Sequence, residues 1–377
     1  MRSITLSITK IAVSCFLIGS SFASVAFAKE NNGKLISSAA TQNGKTRTVV
    51  FPKRGVGTYY LDIPDYDFLD PLAHLPVGKP AKGSVTVPQG AKITLEPGYG
   101  VQTDLRELKT IRPEDIYAFS LEGSLVSKDI ARNASSLNKL TSLDVAGTAI
   151  EDAWLDVLLK ANPQLKELIS STAPKLTDKA LDSIVSMHAL QKLDIGHTRF
   201  TEAGLHKVAA MKNLQWLDLA GTNADDRTLA VLAKMPALTT LNLSETRVTD
   251  KGLAALKECH SLKNLGLEHT AITDAGLKDA ISKMPQLEEL NLSATKVTDA
   301  GIGYLDGNAN LRKLWLRETV VTPAITPALQ RHAKLEQLEV QKTKWNSLAT
   351  HKIGELMPKL HAHAQKLCSC KKYQRTN

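Results

Sequence analysis

One register recurs through most of this 377-residue chain. Its clearest copy is LTTLNLSETRVTDKGLAALK, residues 238–257. With the first apolar residue as position 0, the register restarts at Ile116, Leu140, Leu165, Leu190, Leu214, Leu238, Leu262, Leu287, Leu311 and Leu335, at intervals of 24 or 25 residues. A short, constant period over ten copies restricts the chain to a solenoid. Positions +3 and +5 are apolar (Leu217 and Leu219, Leu241 and Leu243, Leu265 and Leu267), which predicts a short strand with one buried face. Position +10 is apolar again (Ile150, Phe200, Val248, Ile272, Val297, Val321). Next come Thr-Asp and then Gly-Leu, as in Thr249-Asp250 with Gly252-Leu253. Threonine caps a helix N-terminus, and an acid in the first turn complements its dipole. Each unit therefore reads strand, turn, short helix, turn. One unit cannot bury its apolar face alone, but ten stacked units form a continuous core. All strands run the same way, predicting a parallel sheet on an inner, concave wall and helices on a convex wall.

On this motif the chain resembles leucine-rich-repeat proteins. The subtype resembles the 24–26-residue cysteine-containing class, with Thr where that class often carries Cys, as in bacterial members. The resemblance covers about residues 116–345. It implies an α/β leucine-rich-repeat solenoid of horseshoe form and a function in binding other macromolecules.

The first 28 residues read as a secretory signal. Arg2 and Lys10 precede the apolar Ile11–Ile18 run, and Ala26-Phe27-Ala28 is a small-x-small cleavage site. No later stretch has the ~20 apolar residues of a membrane span. The expectation is an exported, soluble, monomeric protein, periplasmic or extracellular. Residues 29–48 are polar and read as a disordered lead-in. Residues 49–112 read as an N-terminal cap covering the first repeat, with Ser84–Val87 and Lys92–Leu95 flanking Pro88-Gln89-Gly90-Ala91 as a β-hairpin. The solenoid spans 113–345, with a C-terminal cap at 346–367 and a basic tail at 368–377. The formal charge of +9 is concentrated at the end, where residues 331–377 hold ten Lys/Arg against three Glu. A nucleic-acid binder spreads basic charge over a folded face, so that class is excluded.

Register also sorts the candidate residues. The Thr column at +8 (Thr148, Thr198, Thr222, Thr246, Thr270, Thr295, Thr319, Thr343) is expected to hydrogen-bond its own turn backbone. Cys259 shares a slot three residues before position 0 with Met187, Met211, Met235 and Met284, and reads as a small buried hydrophobe. Trp154 and Trp345 fall on packing positions. Positions +2, +4, +6 and +7 are expected to face outward on the sheet wall. Trp216 (+2) and Trp315 (+4) are then exposed anchors, with Lys313 and Arg317 beside the latter, because Trp and Arg dominate binding hot spots. Asp194 and Asp218 (+4) sit on neighbouring strands, where a cationic ligand would relieve their repulsion. His197 and His269 (+7) could join the rim.

His361, His363, Cys368 and Cys370 cluster near the end, a set of ligands suited to zinc or copper, although Cys-x-Cys is not the usual zinc spacing. No nucleophile elbow, phosphate loop or His-Glu-x-x-His motif stands out, so no enzyme and no cofactor are expected. The leading reading is a non-enzymatic module binding a protein or peptide, or an envelope glycan, on its concave wall. The alternatives are an envelope tether acting through the basic tail and a metal-binding protein acting through the His/Cys end.

Overall fold

The computed structural model of the protein describes residues 45–61, 78–97 and 105–363. The signal-like segment, nearly all of the lead-in, and Cys368 and Cys370 lie outside the described residues.

Among the described residues five strands precede the repeats: β1 (Thr46–Val50), β2 (Thr58–Leu61), β3 (Lys79–Pro80), β4 (Ser84–Pro88) and β5 (Ile93–Glu96). One strand per unit follows: β6 (Ala118–Ser120), β7 (Ser142–Asp144), β8 (Glu167–Ile169), β9 (Lys192–Asp194), β10 (Trp216–Asp218), β11 (Thr240–Asn242), β12 (Asn264–Gly266), β13 (Glu289–Asn291), β14 (Lys313–Trp315), β15 (Gln337–Glu339) and β16 (His361–His363). From β5 to β16 these strands pair in parallel, each with the next in the chain, and β2 and β3 extend the β5 side antiparallel. The +3 leucines Leu143, Leu168, Leu193, Leu217, Leu241, Leu265, Leu290, Leu314 and Leu338 pair in one register and are fully buried. Each such side chain contributes roughly 1.5–3 kcal/mol of burial. The result is a leucine-rich-repeat solenoid with a sheet on one wall and short helices on the other.

The turn after each strand is built alike. Position +7 adopts the left-handed backbone region in unit after unit, as Gly147 (φ 64°), His197 (φ 52°), Gly221 (φ 63°), Glu245 (φ 58°) and His269 (φ 53°). Glycine is the cheapest residue there, and the non-glycine occupants carry strain that the surrounding hydrogen bonds must offset. Thr Oγ1 at +8 donates to the +5 carbonyl in all eight units that carry it, for example Thr148 to Val145 (2.6 Å), Thr222 to Leu219 (2.6 Å) and Thr319 to Leu316 (2.7 Å). The threonine column is therefore structural, as its register predicts. In the unit beginning at Leu165, Ala173 takes the +8 position, and one extra residue brings Leu176 into the core.

The helices are α1 (Lys128–Ala134), α2 (Asp152–Ala161), α3 (Asp178–Val185), α4 (Glu202–Lys207), α5 (Asp226–Leu232), α6 (Asp250–Leu253), α7 (Asp274–Asp279), α8 (Asp299–Gly303), α9 (Thr326–Leu329) and α10 (Ser347–Leu356). The expected threonine caps form: Thr249 accepts from Lys251 N at 3.3 Å and Thr273 from Ala275 N at 3.2 Å. The aspartate that follows does more than complement the dipole. Its carboxylate reaches into the next unit and accepts from both the backbone N–H and the hydroxyl of the next capping threonine. Asp226 holds Thr249 in this way at 2.8 and 2.7 Å, Asp250 holds Thr273 at 2.9 and 2.6 Å, and Asp274 holds Thr298 at 2.8 and 2.6 Å.

This clasp explains the glycine of the motif. A Cβ added to Gly204, Gly252, Gly276 or Gly301 would lie 2.2–2.4 Å from an aspartate Oδ1 of the preceding unit. Ala180 and Ile325 stand where the glycine would be in two other units. The first is clasped across 25 residues (Asp152 to Thr177), and the second lies in a 3-10 turn, Pro323–Ile325.

Two expectations about the N-terminal strands fail. The segments at 84–88 and 93–96 do not pair as a hairpin. β4 pairs antiparallel with β1, whereas β5 joins the long sheet between β2 and β6. Val49 and Val87 on the β1–β4 pair and Ile93 and Leu95 on β5 are nonetheless buried in one continuous apolar core. Residues 46–48, read as part of the lead-in, are the start of β1.

Candidate functional site

The outward face of the sheet is formed by columns +2, +4 and +6. Column +4 ends each strand, and its acids and amides close the turn. One oxygen of Asp144, Asp194, Asp218, Asn242 and Asn291 accepts from the backbone N–H two residues on, at 2.9, 2.9, 2.7, 3.1 and 2.9 Å. This Asx geometry is a local reason for Asp and Asn at the position. The other oxygen is used between strands. Ser120 donates to Asp144 (3.0 Å), Ser171 to Asp194 (2.9 Å), and the Asn242 amide to Asp218 (2.9 Å).

Asp194 and Asp218 are in direct register on β9 and β10. Asp218, although on the outward column, is buried rather than exposed, which corrects the expectation of an accessible carboxylate, and Asp194 is half-buried. Burial pushes the Asp218 carboxyl up to about 7, and the neighbouring Asp194 charge pushes the same way. Burial also raises Asp194, opposed by its hydrogen bonds from Gly196 and Ser171. Asp144 is pushed up to about 7 by burial first, with Glu122 and Asp194 adding repulsion. Protonation is thus one route by which the fold relieves the acidic ladder without a bound cation.

Trp216 lies on β10 at +2, half-buried, with the Lys192 ammonium 4.7 Å from its ring centroid. Thr240 and Asn264 continue its column on the next two strands. A ring held from one side by a cation, in mid-sheet, is a preorganised contact surface.

Trp315 differs from its expected position. It is 1% exposed and is not an accessible anchor. Its strand neighbours Asn291 and Glu339 flank it in register, and the Lys313 ammonium stands 6.0 Å from its ring. The charged residues around it satisfy one another. Lys313 pairs with Glu289 at 3.0 Å. Arg317 pairs with Glu339 at 3.5 Å and donates to Gln341 at 3.1 Å. Buried Glu339 also accepts from Gln337 at 3.0 Å and from Gln341. Sequence reading passed over Glu339 as the centre of this cluster, although an acid in the +4 column is the visible mark of it.

The histidine pair lies on β16, with His363 Nδ1 4.0 Å from Glu339. Among the described residues no group of three or more His, Cys, Asp or Glu is arranged to hold a metal. His197 and His269 occupy the left-handed turn corners, and the His197 ring lies over Gly221, where an added Cβ would come within 2.2 Å of it. Cys259 is buried with a free thiol, and Trp345 is buried in the core, both as expected.

A leucine-rich-repeat family model matches residues 234–257. Comparison with curated protein sequences finds no match. Solved structures similar to this chain include an internalin, InlF, of Listeria monocytogenes str. 4b F2365, with TM-score 0.44 and 15% identity over 75% of this chain and 91% of that one. Internalin C2 of the same organism gives TM-score 0.42 and 17% identity over 57% of this chain and 84% of that one. The repeated register, the family-model match and the strand–turn–helix units make this chain a leucine-rich-repeat protein. A domain of this kind points to a protein–protein interaction module. No helix among the described residues is long and apolar enough to cross a membrane.

Proposed function

We propose that this chain is an exported, non-enzymatic scaffold whose sheet face binds a protein or peptide, with Trp216 as the principal anchor. Residues 1–28 direct export in this reading, and the segments at 49–112 and 346–367 close the two ends of the solenoid. The observation that carries the proposal is the half-buried Trp216 ring on the outward column, backed by Lys192. Burial of Trp315 concentrates the candidate surface on the Trp216 region. Lys313 and Arg317 belong to the ion cluster beside Trp315, on a strand four removed from Trp216 or just after it, and are not contact residues in this reading, whereas Asp194 and Asp218 border Trp216 as turn-closing acids.

The test is photo-crosslinking in the producing cell through an unnatural residue at position 264, in the Trp216 column two strands away. The expected result is a discrete adduct that diminishes at least about tenfold when Trp216→Ala is added, as befits loss of a hot spot. The same probe at exposed Lys179, on the helix wall, should give no such adduct. Equal capture at both positions, or capture indifferent to Trp216→Ala, would refute the sheet-face reading.

A further inference from the structure

The slot three residues before position 0 is apolar in most units. Leu137, Met187, Met211, Met235, Cys259 and Met284 fill it and are buried. The slot is polar at Asn162, whose side chain accepts from Leu140 N and donates to the Leu158 carbonyl, and again near the C-terminal end, with Asn308 and then His332, 0% and 1% exposed. Asn308 donates from Nδ2 to the carbonyls of Ile281 (2.9 Å) and Met284 (2.8 Å). His332 Nδ1 stands 3.3 Å from the Asn308 carbonyl. A carbonyl only accepts, so Nδ1 carries the proton and Nε2 is the bare ring nitrogen. That Nε2 is buried without a partner, and so is Asn308 Oδ1. The joint between the units beginning at Leu287, Leu311 and Leu335 therefore rests on a polar chain in which the second ring nitrogen has nothing to donate to.

We propose that His332 is an acid-sensitive joint, and that its protonation loosens residues 311–363 from the rest of the solenoid and uncovers Trp315. A proton on Nε2 adds a charge and a donor at a buried atom that has no hydrogen-bond partner within reach. Burial already disfavours the charged ring, holding its proton affinity below that of an ordinary histidine. The Asp306 carboxylate of the preceding unit favours protonation, and adjacent Arg331 opposes it. These two groups pair with each other at 2.8 Å. On the following unit, His351, Lys352, Glu355 and Lys359 are all exposed to solvent. Because each repeat is held chiefly by its neighbours, weakening one joint near an end releases the units beyond it as a group. The ion cluster over Trp315 belongs to that group. This inference is independent of the sheet-face partner.

Hydrogen exchange of the purified chain at pH 7.5 and 5.0, corrected for intrinsic rates, tests it. Amides of 311–363 should exchange about tenfold faster at pH 5.0, a factor equivalent to about 1.4 kcal/mol, while those of 116–290 do not. His332→Met supplies the side chain that the slot carries at Met187, Met211, Met235 and Met284 and should abolish the acid effect. His332→Gln, which also cannot charge, serves as the second variant and should do the same. Acid loosening that persists in either variant, or its absence in the unmodified chain, would overturn the proposal.

Discussion

The two halves of the sheet face use the same positions in opposite ways. Around β7 to β10 the +4 column holds carboxylates whose neighbours are mostly uncharged serine, asparagine and backbone N–H groups, and a tryptophan stays half-exposed beside them. Around β13 to β15 acids and bases alternate and pair across strands, and a tryptophan at +4 is covered. Strands about 4.8 Å apart make every side chain a wall for the next. The column matters as well: at +2, Trp216, Asn264, Glu289, Lys313 and Gln337 are half-buried, whereas at +4 Asp218, Asn291, Trp315 and Glu339 are buried, so Trp315 is covered where Trp216 is not.

The largest test of this contrast is Trp315→Ala, which should cost about 3–5 kcal/mol as a buried large-to-small change, read by denaturant unfolding. A loss under about 1 kcal/mol would mean that Trp315 is as superficial as first read from its register.

Next comes the helix wall, where the two halves should behave alike. Gly204→Ala and Gly301→Ala each drive a Cβ into the clasping aspartate of the preceding unit, and each should cost about 1–3 kcal/mol. Alanine normally stabilises a helix over glycine by about 0.5–1 kcal/mol. Gly303→Ala, which meets nothing within 4 Å, should show that ordinary gain. If all three variants stabilise, the clasp does not constrain the repeat.

The halves should also respond to pH with opposite sign. Asp218 has a raised carboxyl in the folded state, so its contribution is fully present below the unfolded value near 4 and is lost as pH rises through about 7. Asp218→Asn should reduce that loss, by up to about 1.4 kcal/mol per pH unit for the one group. His332 is lowered, so its contribution is present above the ordinary histidine range near 6.5 and is lost as pH falls below it. Unfolding of Asp218→Asn and His332→Met across pH 4–8 separates the two, and parallel pH profiles would collapse the distinction.

The smallest stability effect is expected from Trp216→Ala, about 1 kcal/mol or less for a partly exposed site, alongside the loss of capture described above. A large destabilisation would mark Trp216 as a packing residue like Trp315.

Much of this was legible beforehand because the repeat supplies its own alignment. Leu241 and Leu243 announced a strand, Cys259 could be read from the methionines in its slot, and the threonines from their recurrence. The clasp between Asp250 and Thr273 was not legible, since it joins residues of neighbouring units through atoms that only stacking brings within 3 Å. Its trace was present in the motif as Gly276, whose reason lies in the preceding unit. The β4 and β5 segments misled because a Pro-Gln-Gly-Ala turn between two apolar runs satisfies the local rule for a hairpin, while their partners lie elsewhere in the chain.

By itself the sequence determined the period, the strand and helix of each unit, the buried leucine ladder and the capping threonines, because all of these depend on residues close together along the chain. Tertiary structure decided which tryptophan is covered, which carboxylates are pushed up by burial and where a histidine lost its access to water. Those outcomes depend on side chains about 24 residues away, placed within a few ångströms by the stacking of one unit on the next.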